Sequence, residues 1–125
     1  MTMPGRPVLI VEDNDKNMKL FRDVLQASGF DALAAATGEE AVDLARTHPL
    51  ALVLMDVQLP GMDGMDALMM LRADERTAAI PVLALTAQAM HGDRDRFIEA
   101  GFDGYLSKPV DVRELVATVR EHCGA

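Results

Sequence analysis

Five polar residues stand out because each lies at or just after the end of a short apolar run: Glu12, Asp13, Asp56, Thr86 and Lys108. If these runs are parallel strands of one sheet, their carboxyl ends meet at the same edge, where neighbouring strands lie roughly 5 Å apart. Three carboxylates at that spacing repel one another and destabilise the fold unless a cation neutralises them. Mg²⁺ suits this role because it binds carboxylate oxygens together with water and phosphate oxygens. With a lysine and a threonine beside the acids, the set predicts a site for Mg²⁺ and a phosphoryl group.

Each of these residues also has an ordinary explanation when it is taken singly. Asp13 suits the cap of a following helix, Thr86 suits the interior of a strand, and Lys108-Pro109 suits a turn. Polar residues of these types at four strand ends together are a much rarer coincidence than one of them at a single strand end. The set therefore favours the chemical interpretation.

Apolar runs alternate with helical patterns along the chain. The runs predict five strands, at residues 8–11, 30–36, 50–55, 82–85 and 105–106. The segments between and after them show apolar residues at helical spacing, with caps predicted at Thr37, Asp63 and Asp111. This alternation predicts an α/β fold, in which a five-stranded parallel sheet carries five helices on its two faces. The second run ends without a charged residue, which favours an edge position and the strand order 2-1-3-4-5, typical of a doubly wound, flavodoxin-like sheet.

The composition predicts one acidic globular domain. The chain has 125 residues, half of them apolar and 26% charged, with a net charge of −8. That charge argues against nucleic acid or an anionic membrane as the main partner. No signal-peptide or membrane-span pattern occurs, so we expect a cytoplasmic protein without membrane insertion. Cys123 is the sole cysteine, which excludes an internal disulfide, and Met55, Met65 and Met69 are predicted in the core.

The sequence resembles the receiver domains of response regulators, of the chemotaxis-regulator type, over almost its whole length. Four motifs carry the resemblance: Glu12-Asp13, the segment LMDVQLPGMDG at residues 54–64, Leu85-Thr86-Ala87 and Lys108-Pro109. Separations of 43, 30 and 22 residues between Asp13, Asp56, Thr86 and Lys108 fit that family. The finer resemblance is to single-domain regulators of cell-cycle and developmental phosphorelays. It implies one receiver domain over residues 1–125 without an output domain.

The resemblance implies that Asp56 is a phosphoacceptor. A histidine kinase or a histidine phosphotransfer protein would donate the phosphoryl group from a phosphohistidine, in a reaction that requires Mg²⁺. Asp13, Asp56 and the backbone carbonyl of Gln58 would bind the metal, and Glu12 would act through a metal-bound water. The chain would catalyse its own phosphotransfer and dephosphorylation, and it would not be a dedicated enzyme.

The resemblance also implies a conformational switch. Lys108 would pair with the phosphoryl group, aimed by a cis bond before Pro109. Thr86 would move to donate a hydrogen bond to the phosphoryl group, and the ring of Tyr105 would turn inward. This would change the surface formed by the fourth helix, fifth strand and fifth helix, roughly residues 91–100 and 105–121. A downstream protein would bind there, and a phosphorylation-dependent homodimer through the same face is a further expectation left open.

Two other classes of protein stay open as alternatives. A phosphorylation-independent adaptor would keep the fold and lose the chemistry, against which the complete set of polar residues argues. An aspartate-nucleophile phosphohydrolase would share Asp56, Lys108 and Mg²⁺. However, such enzymes carry a second carboxylate two residues after the nucleophile, where this chain has Gln58, and a cap domain for which 125 residues leave no room.

Overall fold

Strands and helices alternate along the chain, as the sequence predicts. The computed structural model describes residues 6–59, 61–87 and 93–123, with the backbone alone for residues 93 and 94. The strands are β1 (Val8–Val11), β2 (Ala32–Ala35), β3 (Leu52–Asp56), β4 (Val82–Thr86) and β5 (Gly104–Ser107). The helices are α1 (Asp15–Ala27), α2 (Gly38–Thr47), α3 (Gly64–Ala73), α4 (Asp93–Ala100) and α5 (Val112–His122).

The five strands form one parallel sheet in the order β2-β1-β3-β4-β5, which confirms the predicted topology. Because every strand runs the same way, all five carboxyl ends lie at one edge of the sheet, here called the carboxyl edge. Val11 of β1 pairs with Met55 of β3, so Glu12 and Asp56, the next residue of each chain segment, are neighbours at this edge. Thr86 of β4 pairs with Ser107 of β5, which brings Lys108 to the same edge.

Helices cover both faces of the sheet. Residues of α1 and α5 pack with one face, including Phe21, Leu25, Leu115 and Val119. Residues of α2, α3 and α4 pack with the other face. The inner strands β1, β3 and β4 are buried along their whole length, which explains why they appear in the sequence as continuous apolar runs. The edge strands β2 and β5 are only partly buried, and their apolar runs are correspondingly weaker.

Side-chain caps begin the helices where the sequence predicts them, with one exception. Thr37, Asp63 and Asp111 cap α2, α3 and α5. For α1 the cap is Asn14, whose side chain accepts hydrogen bonds from the backbone N–H groups of the next turn. The capping interpretation of Asp13 is therefore wrong, and its carboxylate is not used to begin the helix.

The methionines do not all lie in the core. Met55 is buried and Met65 is half-buried, but Met69 is 68% exposed, so its predicted core position is wrong. The buried stripe of α3 consists of Gly64, Ala67, Leu68 and Leu71. Met69 falls outside that stripe because successive helical residues are rotated by about 100°. Within the described ranges, no helix is both long and apolar enough to cross a membrane.

Candidate functional site

Three carboxylates converge at the carboxyl edge, as the sequence predicts. Glu12, Asp13 and Asp56 each place a carboxylate oxygen within 4.8 Å of the others. Glu12 and Asp56 are buried, whereas Asp13 is exposed. Burial makes the repulsion between the first two carboxylates stronger than it would be in water. The cluster therefore needs a positive charge nearby.

Lys108 supplies that charge to two of the three acids. Its Nζ lies 2.8 Å from Oδ2 of Asp56, to which it donates a hydrogen bond. The same Nζ lies 2.8 Å from Oε2 of Glu12. This second contact is an ion pair without the angles of a hydrogen bond, and within the described part of the chain this buried oxygen accepts no hydrogen bond. One ammonium thus bridges two buried carboxylates.

The loops that follow β1 and β3 orient the two buried acids. The backbone N–H of Gln58 donates to Oδ1 of Asp56 at 2.9 Å. The backbone N–H of Asn14 donates to Oε1 of Glu12 at 3.2 Å. Each carboxylate therefore has one oxygen bonded to the backbone two residues later and the other oxygen directed at Lys108.

The position of Lys108 follows from its backbone. Its N–H donates to the carbonyl oxygen of Thr86 at 2.8 Å, which continues the β4–β5 pairing past the end of the strand. The peptide bond between Lys108 and Pro109 is cis, the isomer that the resemblance implies. Thr86 is buried at the end of β4.

Burial and pairing act in opposite directions on the ionisable groups. Burial raises the pKa of Glu12, and the Asp56 charge adds to this, although Lys108 opposes both. Burial by itself lowers the pKa of Lys108, but the hydrogen bond with Asp56 and the ion pair with Glu12 together outweigh burial, so the pKa is raised. Lys108 therefore stays charged at neutral pH.

The site has the chemistry that a hard divalent cation requires. Three carboxylates face one ammonium, so the cluster keeps an excess of negative charge. All of its donor atoms are oxygens, and among the described residues none donates a directed hydrogen bond to the buried Oε2 of Glu12. Mg²⁺ prefers carboxylate and other oxygen ligands, so the residues present fit Mg²⁺.

Gly64 is a residue of the site whose role the sequence analysis missed. A Cβ at this position would collide with the carbonyl oxygen of Asp56 and lie 2.8 Å from Cα of Val57. Its N–H donates to the carbonyl oxygen of Val57 at 3.1 Å. The first residue of α3 therefore packs directly on the backbone of Asp56. The only signal in the sequence is a glycine immediately after the cap residue Asp63.

Tyr105 lies on the sheet face that α2, α3 and α4 cover. It is half-buried on β5, where it pairs with Ala84 of β4, and its ring centroid is 6.5 Å from that of Phe97 on α4. Side chains alternate between faces along a strand, so Thr86, two residues after Ala84, lies on the same face as Tyr105. The two predicted switch residues are thus on adjacent strands and one face.

An open cleft of about 410 Å³ lies beside Lys108. It is lined by residues of α1 and of the loops after β4 and β5, namely Asn17, Leu20, Phe21, Ala87, Lys108, Pro109 and Val110. Leu20, on α1, is 45% exposed there. The cleft joins an apolar surface to the lysine of the acidic cluster.

Comparison with known proteins gives the same family throughout. Residues 8–120 match the response regulator receiver domain. The chain is 45% identical over 119 residues to the polar-differentiation response regulator DivK of Brucella ovis, which covers 95% of this chain and 97% of the relative.

Two solved structures are similar along nearly the whole chain. One is the receiver domain of the sensor histidine kinase PA1611 from Pseudomonas aeruginosa PAO1, with a magnesium ion in its active site cleft (TM-score 0.88, 36% identity, 97% of this chain and 99% of that chain). The other is a chain of the co-crystal structure of the Saccharomyces cerevisiae phosphotransfer protein Ypd1 with the receiver domain of Ssk1 (TM-score 0.89, 29% identity, 99% of this chain and 92% of that chain). The chain belongs to the response regulator receiver domain family of two-component signalling.

Proposed function

We propose that this protein is a response regulator that carries its phosphoryl group on Asp56. The observation that supports this most directly is the 2.8 Å contact between Lys108 Nζ and Asp56 Oδ2, made inside a cluster of three carboxylates. A buried aspartate beside a lysine and next to a cation site has the charges that phosphoryl transfer requires. In such reactions the protein contributes positioning and charge neutralisation more than covalent chemistry.

The transfer step follows from the chemistry of Asp56. A carboxylate oxygen of Asp56 attacks the phosphorus of a phosphohistidine and forms a P–O bond. The P–N bond breaks, and its electron pair stays on the imidazole nitrogen, which then takes up a proton. Lys108 pairs with the new phosphoryl oxygens, and the hydroxyl of Thr86 donates to one of them. The product is an aspartyl phosphate on a protein that acts as its own catalyst and not as a dedicated enzyme.

Asp13, Asp56 and the backbone carbonyl of Gln58 would bind Mg²⁺ in this proposal, with Glu12 acting through a bound water. When bound, the ion would supply positive charge that neutralises part of the negative charge of the three carboxylates and the phosphoryl group. The exposed position of Asp13 supports this role because a metal ligand at the mouth of the site must be reachable from solvent. The magnesium in the related PA1611 receiver domain supports it as well.

A histidine kinase or a histidine phosphotransfer protein would be the donor. The cleft beside Lys108 supports this, since its exposed Leu20 offers an apolar contact in the same cleft as the lysine that pairs with Asp56. The similarity to the Ypd1–Ssk1 structure is consistent with a phosphotransfer protein as the partner.

Phosphorylation would be signalled to other proteins through the surface formed by α4, β5 and α5. Once phosphorylated, Asp56 would attract Thr86, and Tyr105 would turn into the space that Thr86 leaves. The contact between Tyr105 and Phe97 supports this route because it joins β5 to α4. A downstream protein, or a second phosphorylated copy, would bind the altered face. Action in the cytoplasm stays a prediction.

Intact-mass spectrometry after incubation with acetyl phosphate or a phosphorylated histidine donor tests the proposal. We expect a single labile phosphoryl adduct when Mg²⁺ is present. It should not form when Mg²⁺ is chelated before the donor is added, and it should be absent from Asp56→Asn. Asp43→Asn is the matched control, because Asp43 is an exposed aspartate on α2. An adduct that persists in Asp56→Asn, or no adduct from any donor, would refute the proposal.

A further inference from the structure

We infer that Gly38, the first residue of α2, is a positioning residue for phosphorylation. It acts on the phosphoacceptor loop, defined here as residues 57–59 and 61–63 between β3 and α3. This inference rests on the proposed role of Asp56. It assigns to the start of α2 a part in holding the loop that carries Gln58.

Residue 38 must be glycine because Met62 lies too close to leave room for a side chain, and not because the backbone conformation favours glycine. A Cβ at this position would lie 2.9 Å from the carbonyl oxygen of Met62, 3.1 Å from its Cγ and 3.2 Å from its Sδ. The backbone of Gly38 is not in the left-handed region that favours glycine, unlike that of Gly29, Gly61 and Gly101. Any side chain at residue 38 would therefore push the backbone of Met62.

The start of α2 is held firmly, so the loop and not the helix would yield. Oγ1 of Thr37 accepts a hydrogen bond from the N–H of Glu40 at 3.1 Å. Oε1 of Glu40 accepts one from the N–H of Ala36 at 3.0 Å. These two bonds resemble a capping box, except that Glu40 accepts from the residue before the cap, and together they fix the first turn. Gly38 itself is buried, and α2 packs against α3 below the loop.

Displacement of Met62 would reach Asp56 through the loop. The hydrogen bond from the N–H of Gly64, the first residue of α3, to the carbonyl of Val57, the first residue of the loop, ties the two ends of the loop together. Within it, the N–H of Gln58 orients the Asp56 carboxylate at 2.9 Å. With Gly64 packed on β3 at one end, the close contact at Gly38 determines where the other side of the loop lies. Gly38 thus helps to place both the carboxylate of Asp56 and the backbone of Gln58.

The decisive variant is Gly38→Ala. We expect Mg²⁺ to bind more weakly by calorimetric titration, and we expect the rate of phosphorylation by acetyl phosphate at saturating Mg²⁺ to fall about tenfold, because small misplacements of reacting groups carry costs of this order. Gly29→Ala is the control. Its φ of +95° makes an alanine strained there, but a Cβ meets no atom of the described residues within 4 Å, and the residue follows α1, away from the carboxyl edge. It should lose stability while keeping the Mg²⁺ affinity and the rate.

A second pair of variants serves if Gly38→Ala does not fold. Glu40→Ala removes the acceptor of the hydrogen bond from Ala36 N–H and loosens the first turn of α2, whereas Glu39→Ala changes another exposed acid of the same turn. Glu40→Ala should slow phosphorylation and weaken Mg²⁺ binding relative to Glu39→Ala. Wild-type rate and affinity in Gly38→Ala, or equal values for the two glutamate variants, would overturn the inference. Absence of any adduct on the wild-type chain would instead refute the proposed function.

Discussion

Lys108 Nζ and Asp56 Oδ2 are 2.8 Å apart, although the residues are 52 positions apart in the chain. Asp56 ends β3, Lys108 follows β5, and β4 lies between these two strands in the sheet. The lysine therefore reaches across the end of β4 to bridge Asp56 and Glu12. This arrangement has two opposite consequences, since the ammonium both stabilises the buried acids and competes with a cation for them.

The substitution Lys108→Met tests the effect of the lysine on phosphorylation separately from its competition with the cation. We expect phosphorylation by acetyl phosphate to slow about a hundredfold, as for the loss of other groups that stabilise charge in a transition state. Mg²⁺ should bind more tightly, because the competing positive charge is gone. Calorimetry measures the affinity and intact mass measures the rate. Lys19→Met, which removes an exposed lysine of α1 paired with Asp23, is the control. A decrease in both affinity and rate would contradict this account of the bridge.

Mg²⁺ should stabilise the folded chain by relieving the repulsion between the acids. A ligand at 100 times its Kd contributes about 2.7 kcal/mol to the free energy of unfolding. We expect millimolar Mg²⁺ to raise the melting temperature in calorimetry, and we expect Asp13→Asn to remove most of this increase. The exposed Asp43→Asn should retain it. An unchanged melting temperature of the wild-type chain would count against the metal site.

Gly64→Ala should destabilise the protein, although alanine favours helices by up to about 1 kcal/mol over glycine. The added Cβ would collide with the carbonyl oxygen of Asp56. Overpacking of this kind costs about 1–3 kcal/mol, which outweighs the helical preference. Urea unfolding measures the change, and phosphorylation should slow in parallel because the backbone of Asp56 must shift. Higher stability of the alanine variant would show that the contact relaxes at little cost.

The chain carries one tyrosine and no tryptophan, so its intrinsic fluorescence reports on Tyr105 alone. If the ring turns inward on phosphorylation, its emission should change when acetyl phosphate and Mg²⁺ are added together. The change should be absent in Asp56→Asn and reduced in Thr86→Ala. A fluorescence change in Thr86→Ala as large as in the wild type would show that the movement of Tyr105 does not depend on Thr86.

Asp74 should make stability depend on pH in acid. Hydrogen bonds from the side chain and backbone of Arg76, with the Arg46 guanidinium nearby, lower the pKa of this carboxyl. A lowered pKa contributes stability above the unfolded-state value of about 3.9, and this is lost as pH falls towards the folded-state value. Asp74→Asn should therefore be less stable than the wild type at pH 7 in urea unfolding.

The difference between these two chains should shrink progressively as the pH is lowered below about 4. Asp43→Asn should show little difference from the wild type at either pH. A wild-type advantage that stays constant from neutral to acidic pH would mean that Asp74 acts as an uncharged hydrogen-bond acceptor.

Much of the fold was predictable because its determinants are local. Apolar runs of four to six residues predict buried strands, and cap residues such as Thr37 and Asp111 predict where helices begin. The residues of the site were predictable for a related reason, since parallel strands necessarily bring their carboxyl ends to one edge. Glu12, Asp13 and Asp56 converge there as expected.

Contacts between segments could be decided only by the tertiary structure. Asn14 and not Asp13 caps α1, because two adjacent capping side chains compete and the path of the backbone after β1 selects one. Met69 faces outward because the packing of α3 selects one of several apolar faces. The close approaches of Gly38 to Met62 and of Gly64 to Asp56 depend on how the chain packs, because a shift of a few tenths of an ångström would make room for a Cβ or remove it. Residue types and spacing therefore determined the chemistry of this protein, whereas packing decided which backbone atoms hold that chemistry in place.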